Sequence, residues 1–209
     1  MKIFSTILLL IAGAFIWNAV AKEQPCTDDG CKEFTEQVEL ITYQEIEDFP
    51  NVLPAINTDT KSQFVYTLSK CIDKIYETTD ISKQIPKELI IAQAALETGW
   101  GKSRFANEGN NLFGIRTWDK DEPYLLPIPW TKWPGWGVKM YSSKCESVVD
   151  YLHIINNVHA FEELREARAN GVNDALELAN YLEKYASKPT YVELVKEIIK
   201  YNIRGVYEL

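Results

Sequence analysis

One carboxylate, Glu97, stands near the end of a short apolar stretch, AQAALETGWG, which covers residues 92–101. A carboxylic acid that keeps its proton near neutral pH can donate it to a leaving group, which is what a glycosidase acid does. Two features would raise the pKa of Glu97: unpaired carbonyls at a helix C-terminus, and apolar neighbours that solvate the charged form poorly. The stretch therefore indicates a proton donor. The alternative is a surface glutamate that pairs with Lys102 or Arg104.

The element that must position Glu97 is a helix that begins after Pro86. Proline suits a first helical position, and strong helix formers follow it with no interior glycine or proline. Gly99 favours a left-handed cap, so we predict that the helix ends at Glu97 or the next residue. Helical spacing places Gln93 on the same face as Glu97. The acid should therefore project from the last turn of this helix.

The segment AQAALETGWGKSRFANEGNNLFGI, residues 92–115, resembles the signature of the endo-β-N-acetylglucosaminidase family of peptidoglycan hydrolases (glycoside hydrolase family 73, mannosyl-glycoprotein endo-β-N-acetylglucosaminidase-like domain), and in particular its Bax-type branch. A weaker similarity extends over residues 58–202 and includes KYASKPTYVELVKEII. The resemblance implies a mainly α (α+β) fold, a lysozyme-like helical domain with a small β-hairpin lobe beside the cleft. It also implies that Glu97 is the general acid, that Tyr185 lines the cleft, and that the substrate is peptidoglycan.

Glycoside hydrolysis usually needs a second carboxylate, as base or nucleophile, at about 6.5–9.5 Å or about 5–5.5 Å from the acid. The candidates lie in the loop TWDKDEPY: Asp119, Asp121 and Glu122. We favour Glu122 because it stands at the predicted entry to a strand. In the alternative, all three are solvated loop charges balanced by Lys120, and the substrate's own N-acetyl group assists instead.

Four further residues are predicted to contact the substrate: Trp100, Asn111, Phe113 and Trp118. Asn111 could bind an acetamido group or close the turn. Phe113 and the glycine after it are expected to set the backbone shape near the sugar. The tryptophans of residues 118–136 could form a wall on which sugars stack, or could cover the core of the β lobe.

The composition favours one globular enzyme domain that needs no cofactor. A chain of 209 residues can bury a substantial core without a metal. The net charge of −8 argues against nucleic acid as a partner. Glycan strands must then be bound through shape, stacking and hydrogen bonds. No CxxC motif occurs, and His153 and His159 lack a useful metal spacing, so we predict no metal site. We expect a monomer.

The first residues are typical of a targeting segment. Lys2 precedes an apolar run, and Ala19-Val20-Ala21 resembles a cleavage site, so residues 1–21 are predicted to be a signal peptide. An acidic N-terminal arm, 22–57, and a catalytic domain, 58–209, would follow. The prediction is an exported protein, periplasmic or secreted, without stable membrane insertion after cleavage. An uncleaved anchor is the alternative.

The four cysteines are expected to meet an oxidising environment after export. The preferred pairing joins Cys26 to Cys31 and Cys71 to Cys145. The alternative for the second pair is two buried free thiols.

The remaining pattern predicts further helices and one irregular segment. Gly, Pro, Asn and Trp concentrate in residues 107–137, which indicates the β lobe and loops. Capping residues mark several helix starts: Ser143 with Glu146, Asn173, and Thr190 with Glu193. The helices are predicted over 60–78, 143–157, 161–169, 173–185 and 190–201.

The sequence thus predicts an exported hydrolase that cleaves peptidoglycan after N-acetylglucosamine. Three alternatives remain open at this stage. The chain could be a catalytically idle glycan-binding module, a muramidase or a lytic transglycosylase. Glycans of glycoproteins also remain possible substrates.

Overall fold

The computed structural model describes residues 52–186 and 188–207. Seven α-helices, three short strands, three 3₁₀ turns and one π turn occur there. The helices are α1 Lys61–Tyr76, α2 Lys87–Thr98, α3 Arg104–Glu108, α4 Lys144–Asn157, α5 Glu162–Ala169, α6 Ala175–Leu178 and α7 Tyr191–Ile198. The strands are β1 Arg116–Thr117, β2 Tyr124–Leu125 and β3 Gly137–Lys139. The 3₁₀ turns are Ile81–Lys83, His159–Phe161 and Ala179–Leu182, and the π turn is Ile199–Ile203.

Helix α1 begins where the sequence predicts, because the Thr60 side chain accepts a hydrogen bond from the backbone of Gln63. Its apolar stripe, which includes Phe64 and Leu68, is fully buried. Cys71 of α1 and Cys145 of α4 form a disulfide. This confirms the predicted pairing over two free thiols. The predicted Cys26–Cys31 pair lies outside the described residues.

Helix α2 is the central element, and it carries Glu97. It packs against α1, α6 and α7. Consecutive residues Leu89, Ile90 and Ile91 are all fully buried, so the helix is enclosed on every side over its first turns. A helix held in this way gives the side chains of its last turn a fixed position.

The β lobe is a three-stranded antiparallel sheet in the order β1-β3-β2, which is more than the hairpin that the sequence predicts. Arg116 pairs with Val138, and Leu125 pairs with the same residue from the other edge. The strand latest in sequence therefore lies in the centre. The predicted fold class, mainly helical with a small β lobe, is confirmed.

Several boundaries differ from those predicted. The cap of α6 is Asp174 and not Asn173, because the Asp174 carboxylate accepts from two backbone N–H groups of the first turn. This helical segment ends with the 3₁₀ turn at Leu182, ahead of Tyr185. Ile56, which the sequence places in the arm, is buried in the domain core. The predicted signal peptide, 1–21, and the arm up to residue 51 lie outside the described residues.

Among residues 52–186 and 188–207, none of the helices combines the length and the apolar character that crossing a membrane requires.

Candidate active site

Glu97 lies in the last turn of α2, immediately before a sharp reversal of the chain. Gly99 caps the helix in the left-handed conformation (φ 58°), as the sequence predicts. The Thr98 hydroxyl donates to the Ala94 carbonyl (2.5 Å) and accepts from the Gly101 N–H (2.8 Å). These bonds satisfy groups that a helix end leaves unpaired, and they fix the turn beside the acid.

Trp100 sits in this turn with a positive φ of 63°, which is unusual for a residue other than glycine. Its ring meets Phe64 of α1 edge-on, with centroids 6.1 Å apart. The Lys61 ammonium lies 4.6 Å from the centroid of the same ring. The structure therefore packs Trp100 against α1.

The Glu97 carboxyl is partly buried, and burial raises its pKa above the ordinary glutamate value. The Tyr191 hydroxyl next to this carboxyl opposes that effect on the pKa, because it favours the charged form. The direction agrees with the expectation from the apolar sequence around the acid. Glu97 does not pair with Lys102 or Arg104, which was the alternative to a proton donor. Lys102 donates to a backbone carbonyl, and Arg104 pairs with Glu108.

Gln93, one helical turn before Glu97, connects two buried tyrosines. The Tyr151 hydroxyl donates to Gln93 Oε1 (2.5 Å), and Gln93 Nε2 donates to the Tyr191 hydroxyl oxygen (3.0 Å). Because Tyr191 accepts from Gln93, its own proton is available to Glu97.

Tyr185 lies against this cluster. Its ring stacks on Tyr191, with centroids 5.4 Å apart and an interplanar angle of 16°. Its hydroxyl donates to the Phe113 carbonyl (3.1 Å), and burial raises its pKa well above the ordinary value. Tyr185 therefore remains a neutral donor that ties the Phe113 backbone to the tyrosine cluster.

Gly114 marks the open side of the acid. It is exposed, has a φ of +66°, and a Cβ placed on it would lie 3.9 Å from Glu97 Oε2. Any larger side chain would project over the carboxyl and would also be strained. The glycine leaves room at this edge for a ligand to approach Glu97.

Asn111 closes the turn and does not offer a group to a substrate, which corrects the prediction that it contacts the substrate. It is fully buried. Its side-chain oxygen accepts from the backbone N–H groups of Phe113 and Ile115. Its side-chain nitrogen donates to the carbonyls of Ile115 and Lys139. With two donors and two acceptors satisfied, no capacity remains for an acetamido group.

The Phe113 side chain is also internal. Its ring is buried and stacks on Tyr151, with centroids 4.2 Å apart. A substrate would not reach this ring, so the prediction of direct contact is wrong for the side chain. Its backbone carbonyl, which accepts from Tyr185, supports the expectation that the residue sets the local chain path.

Glu122 lies at the entry to β2, within a group of charged side chains. Its Oε1 is 3.7 Å from Lys139 Nζ, and the same ammonium is 3.0 Å from Asp150 Oδ2. Tyr141 donates to this aspartate at 2.7 Å. The Glu122 side chain is 41% exposed, and no contact joins it to Glu97 among the described residues.

The tryptophans of the β lobe divide into two groups. Trp118 and Trp130 are 71% and 54% exposed, so their faces are accessible. Trp133 packs edge-on against Tyr124, and Trp136 lies under the Arg116 guanidinium. The first two are accessible enough to stack on sugars, and the second two cover the lobe.

A groove of about 890 Å³ runs along α4 and β3, and Glu97 is not part of its lining. Its lining includes Lys139 and Asp150, which pair with each other, and Tyr141, which donates to the same aspartate. In the part of the chain that the structure describes, no group of three or more His, Cys, Asp or Glu side chains could hold a metal ion. The arrangement around Glu97 is the one suited to proton transfer.

Sequence reasoning missed Tyr191 as a site residue. The residue lies in the segment KYASKPTYVELVKEII, six positions after Tyr185, and opens α7. Its position beside a glutamate 94 residues earlier depends on how α7 packs on α2. A second tyrosine in that segment was the only available signal.

A sequence model described as mannosyl-glycoprotein endo-β-N-acetylglucosaminidase matches residues 73–204. Protein bax of Escherichia coli is 29% identical over 123 residues, which cover 58% of this chain and 38% of that protein. The peptidoglycan hydrolase FlgJ of Vibrio parahaemolyticus is 27% identical over 154 residues, covering 67% of this chain and 47% of that protein. The chain thus spans less than half the length of these two relatives.

Among solved structures, the catalytic domain of the autolysin Auto from Listeria monocytogenes is similar with a TM-score of 0.51 and 20% identity. The match covers 78% of this chain and 93% of that domain. This likeness shows that the two share a fold.

Proposed function

We propose a function from one premise: the chain belongs to the mannosyl-glycoprotein endo-β-N-acetylglucosaminidase family, whose sequence model matches most of its length. The proposed activity is that of an exported glycoside hydrolase that cleaves the β-1,4 bond after N-acetylglucosamine in peptidoglycan glycan strands. Glu97 acts as the general acid.

The observation that carries this proposal is the environment of Glu97. Burial raises its pKa, the Tyr191 hydroxyl favours the carboxylate that remains after proton transfer, and Gly114 leaves the acid open on one side. A raised pKa retains the proton, stabilisation of the carboxylate assists its transfer, and an open side admits a leaving group. These are the three requirements for protonating a glycosidic oxygen.

In the proposed reaction, Glu97 donates its proton to the glycosidic oxygen as the bond to the anomeric carbon breaks. Positive charge develops on the sugar ring, and water then adds to the anomeric carbon. Regeneration of the acid takes up one proton from the attacking water. Tyr191 stabilises the Glu97 carboxylate that forms when the proton leaves.

For the second role we propose Glu122, as base or nucleophile from the β lobe. Its partial exposure and its place at the entry to β2 support this assignment. Lys139 lies 3.7 Å from it but is closer to Asp150, so one ammonium faces both carboxylates. Assistance by the substrate's N-acetyl group is the alternative. For Tyr185 we propose a place beside the cleft, where it holds the Phe113 backbone.

We also propose an extracytoplasmic location, periplasmic or secreted. The disulfide between Cys71 and Cys145 supports it, because such bonds persist mainly in oxidising compartments. Relatives named as peptidoglycan hydrolases support it as well. The proposed partner is the glycan strand, and the proposed form is a monomer.

The proposed activity is tested by digesting purified sacculi and identifying the released fragments by mass spectrometry. New reducing ends on N-acetylglucosamine are the expected result. Reducing or anhydro ends on N-acetylmuramic acid would instead identify a muramidase or a lytic transglycosylase. Binding to sacculi without release would identify a binding module.

The role of Glu97 is tested by Glu97→Gln in the same assay. Removing a general acid lowers kcat by roughly 100-fold or more, and binding to sacculi should be retained. Glu108→Gln is the matched control, because this surface glutamate pairs only with Arg104. Activity of Glu97→Gln within a few-fold of the parent would refute the assignment.

A further inference from the structure

Arg116 is held against an aromatic ring near the acid. It is the first residue of β1, it is exposed, and its guanidinium carbon lies 4.1 Å from the centroid of the Trp136 ring. Trp136 directly precedes β3, the strand that pairs with β1. The sheet therefore brings the two side chains together, and the cation–π contact holds the guanidinium over the ring.

The contact with Trp136 is a cation–π contact, in which the ring supplies no oxygen or nitrogen acceptor to the guanidinium. All five N–H donors lie in the plane of the group, in a fork that fits a carboxylate. Within residues 52–186 and 188–207, the Arg116 side chain makes no hydrogen bond or salt bridge, whereas the side chains of the other arginines all donate to protein acceptors: Arg104, Arg165, Arg168 and Arg204. The Arg116 guanidinium is thus held by Trp136 but has no hydrogen-bond acceptor or anion as a partner in the described part of the chain.

The location of Arg116 relates it to the acid. Gly114, whose open side faces Glu97 Oε2, lies two residues before it. Two residues span at most about 7 Å, so Arg116 lies beside the approach to the acid. A glycan strand bound across Glu97 would pass this arginine.

We propose that Arg116, held by Trp136, binds a carboxylate of the glycan substrate. The proposal rests on the proposed function and names the substrate class more closely: anionic, muramic-acid-containing strands in preference to neutral N-acetylglucosamine polymers. The carboxylate has two possible sources. It is either the lactyl group of N-acetylmuramic acid, when its peptide is absent, or an acid of the attached peptide. Because the chain carries a net charge of −8, a positioned cation would provide local attraction for such a ligand.

The test measures the Kd of three soluble ligands for the Glu97→Gln protein, which removes the complication of turnover. The ligands are a neutral N-acetylglucosamine oligosaccharide, a peptide-free strand with its lactyl carboxylates exposed, and a peptide-bearing strand. Adding Arg116→Gln should weaken binding of one or both anionic ligands by about 10-fold or more, the usual effect of losing a charge-assisted hydrogen bond. The neutral oligosaccharide should bind as before.

Two further variants separate a positioned guanidinium from general charge. Lys120→Gln removes the same charge from an exposed site in the same lobe, and it should change no Kd by more than a few-fold. Trp136→Leu removes the stacking surface and should weaken the anionic ligands only. Loss of binding to the peptide-free strand identifies the lactyl group, and loss confined to the peptide-bearing strand identifies a peptide acid.

Three outcomes would overturn the proposal: Arg116→Gln leaves every Kd unchanged, it weakens all three ligands equally, or Lys120→Gln reproduces its effect. These outcomes leave the proposed function intact. If the Glu97→Gln parent binds none of the three ligands and the unaltered protein releases nothing from sacculi, the proposed function fails as well.

Discussion

The surroundings of Glu97 and the β lobe are built in different ways. Around the acid, the polar side chains of Gln93, Tyr151 and Tyr191 are buried and hydrogen-bonded to one another. In the β lobe the strands are two or three residues long, and large side chains such as Trp118 stand in solvent. One region has a single fixed geometry, and the other presents accessible surface.

This difference suggests a division of labour. Proton transfer requires a defined geometry and a shifted pKa, which a buried hydrogen-bond network on a central helix can provide. Binding a polymer requires accessible aromatic and charged groups, which the lobe provides. We therefore expect variants near Glu97 to change kcat and its pH dependence. Variants of the lobe should mainly change KM, with Glu122 as the exception.

The largest expected effect concerns the framework that holds the helical region. The disulfide between Cys71 and Cys145 closes a loop with a sequence separation of 74 residues. Cys71→Ala with Cys145→Ala should lower the free energy of unfolding by about 4 kcal/mol, because the unfolded chain gains conformational freedom. Urea unfolding of the double variant measures this loss. An unchanged midpoint would show that the disulfide does not brace the domain.

The next largest effect is expected from a variant of Glu122, which tests whether the β lobe takes part in catalysis as well as in binding. If Glu122 is the second carboxylate, Glu122→Gln lowers kcat by roughly 100-fold with little change in KM. Asp121→Asn, in the same loop, is the control and should retain activity. Full activity of Glu122→Gln would transfer the role to the substrate's N-acetyl group and confine the lobe to binding.

A smaller effect is expected from the tyrosines. Tyr191→Phe removes the hydroxyl that stabilises the charged form of Glu97, so the pKa of this carboxyl rises further. Activity requires the protonated acid and falls as the pH rises through that pKa. The alkaline limb of the kcat profile should therefore move to higher pH, and kcat should fall by about 10-fold.

Tyr185→Phe is the matched control for that experiment. Its hydroxyl donates to the Phe113 carbonyl and not to Glu97, so the alkaline limb should keep its position. Identical pH profiles for the two variants would contradict the specific role given to Tyr191.

The smallest effect belongs to Trp118, for which contact with the substrate is still a proposal. The side chain is 71% exposed and follows β1 directly, so its replacement should leave the fold intact. Trp118→Ala should raise KM by roughly five-fold through the loss of one stacking contact, with kcat unchanged. Kinetics on soluble strands distinguish this from a change in kcat, which would contradict the division between the two regions.

Local signals in the sequence predicted much of the helical framework. The stop at Gly99 and the cap at Ser143 both depend on residues a few positions apart, and both occur as expected. The predicted capping box at Thr190 did not form, because its side chain makes no cap hydrogen bond. The observed cap is Asp174 where the sequence predicted Asn173. Both residue types are good helix caps, so the sequence alone does not decide between two adjacent ones.

The site was predictable only in part, because some of its contacts join distant segments. Glu97 and its raised pKa followed from one helix and its end. Tyr191 reaches the acid only after α7 packs on α2, and no local pattern contains that information. For Asn111, by contrast, the sequence predicted a substrate contact that the folded structure does not allow. Its polar side chain suggested ligand binding, but four backbone groups, three in its own turn and one in β3, already use its hydrogen-bonding capacity.

The central claim is that Glu97 keeps its proton at a pH where an ordinary glutamate has lost it. Carbon-13 NMR titration of the side-chain carboxyls, with Glu97→Gln to assign the resonance, measures this pKa directly. We predict a value above that of an exposed glutamate, and a further rise in Tyr191→Phe. A Glu97 pKa at or below the ordinary value would contradict its assignment as the general acid.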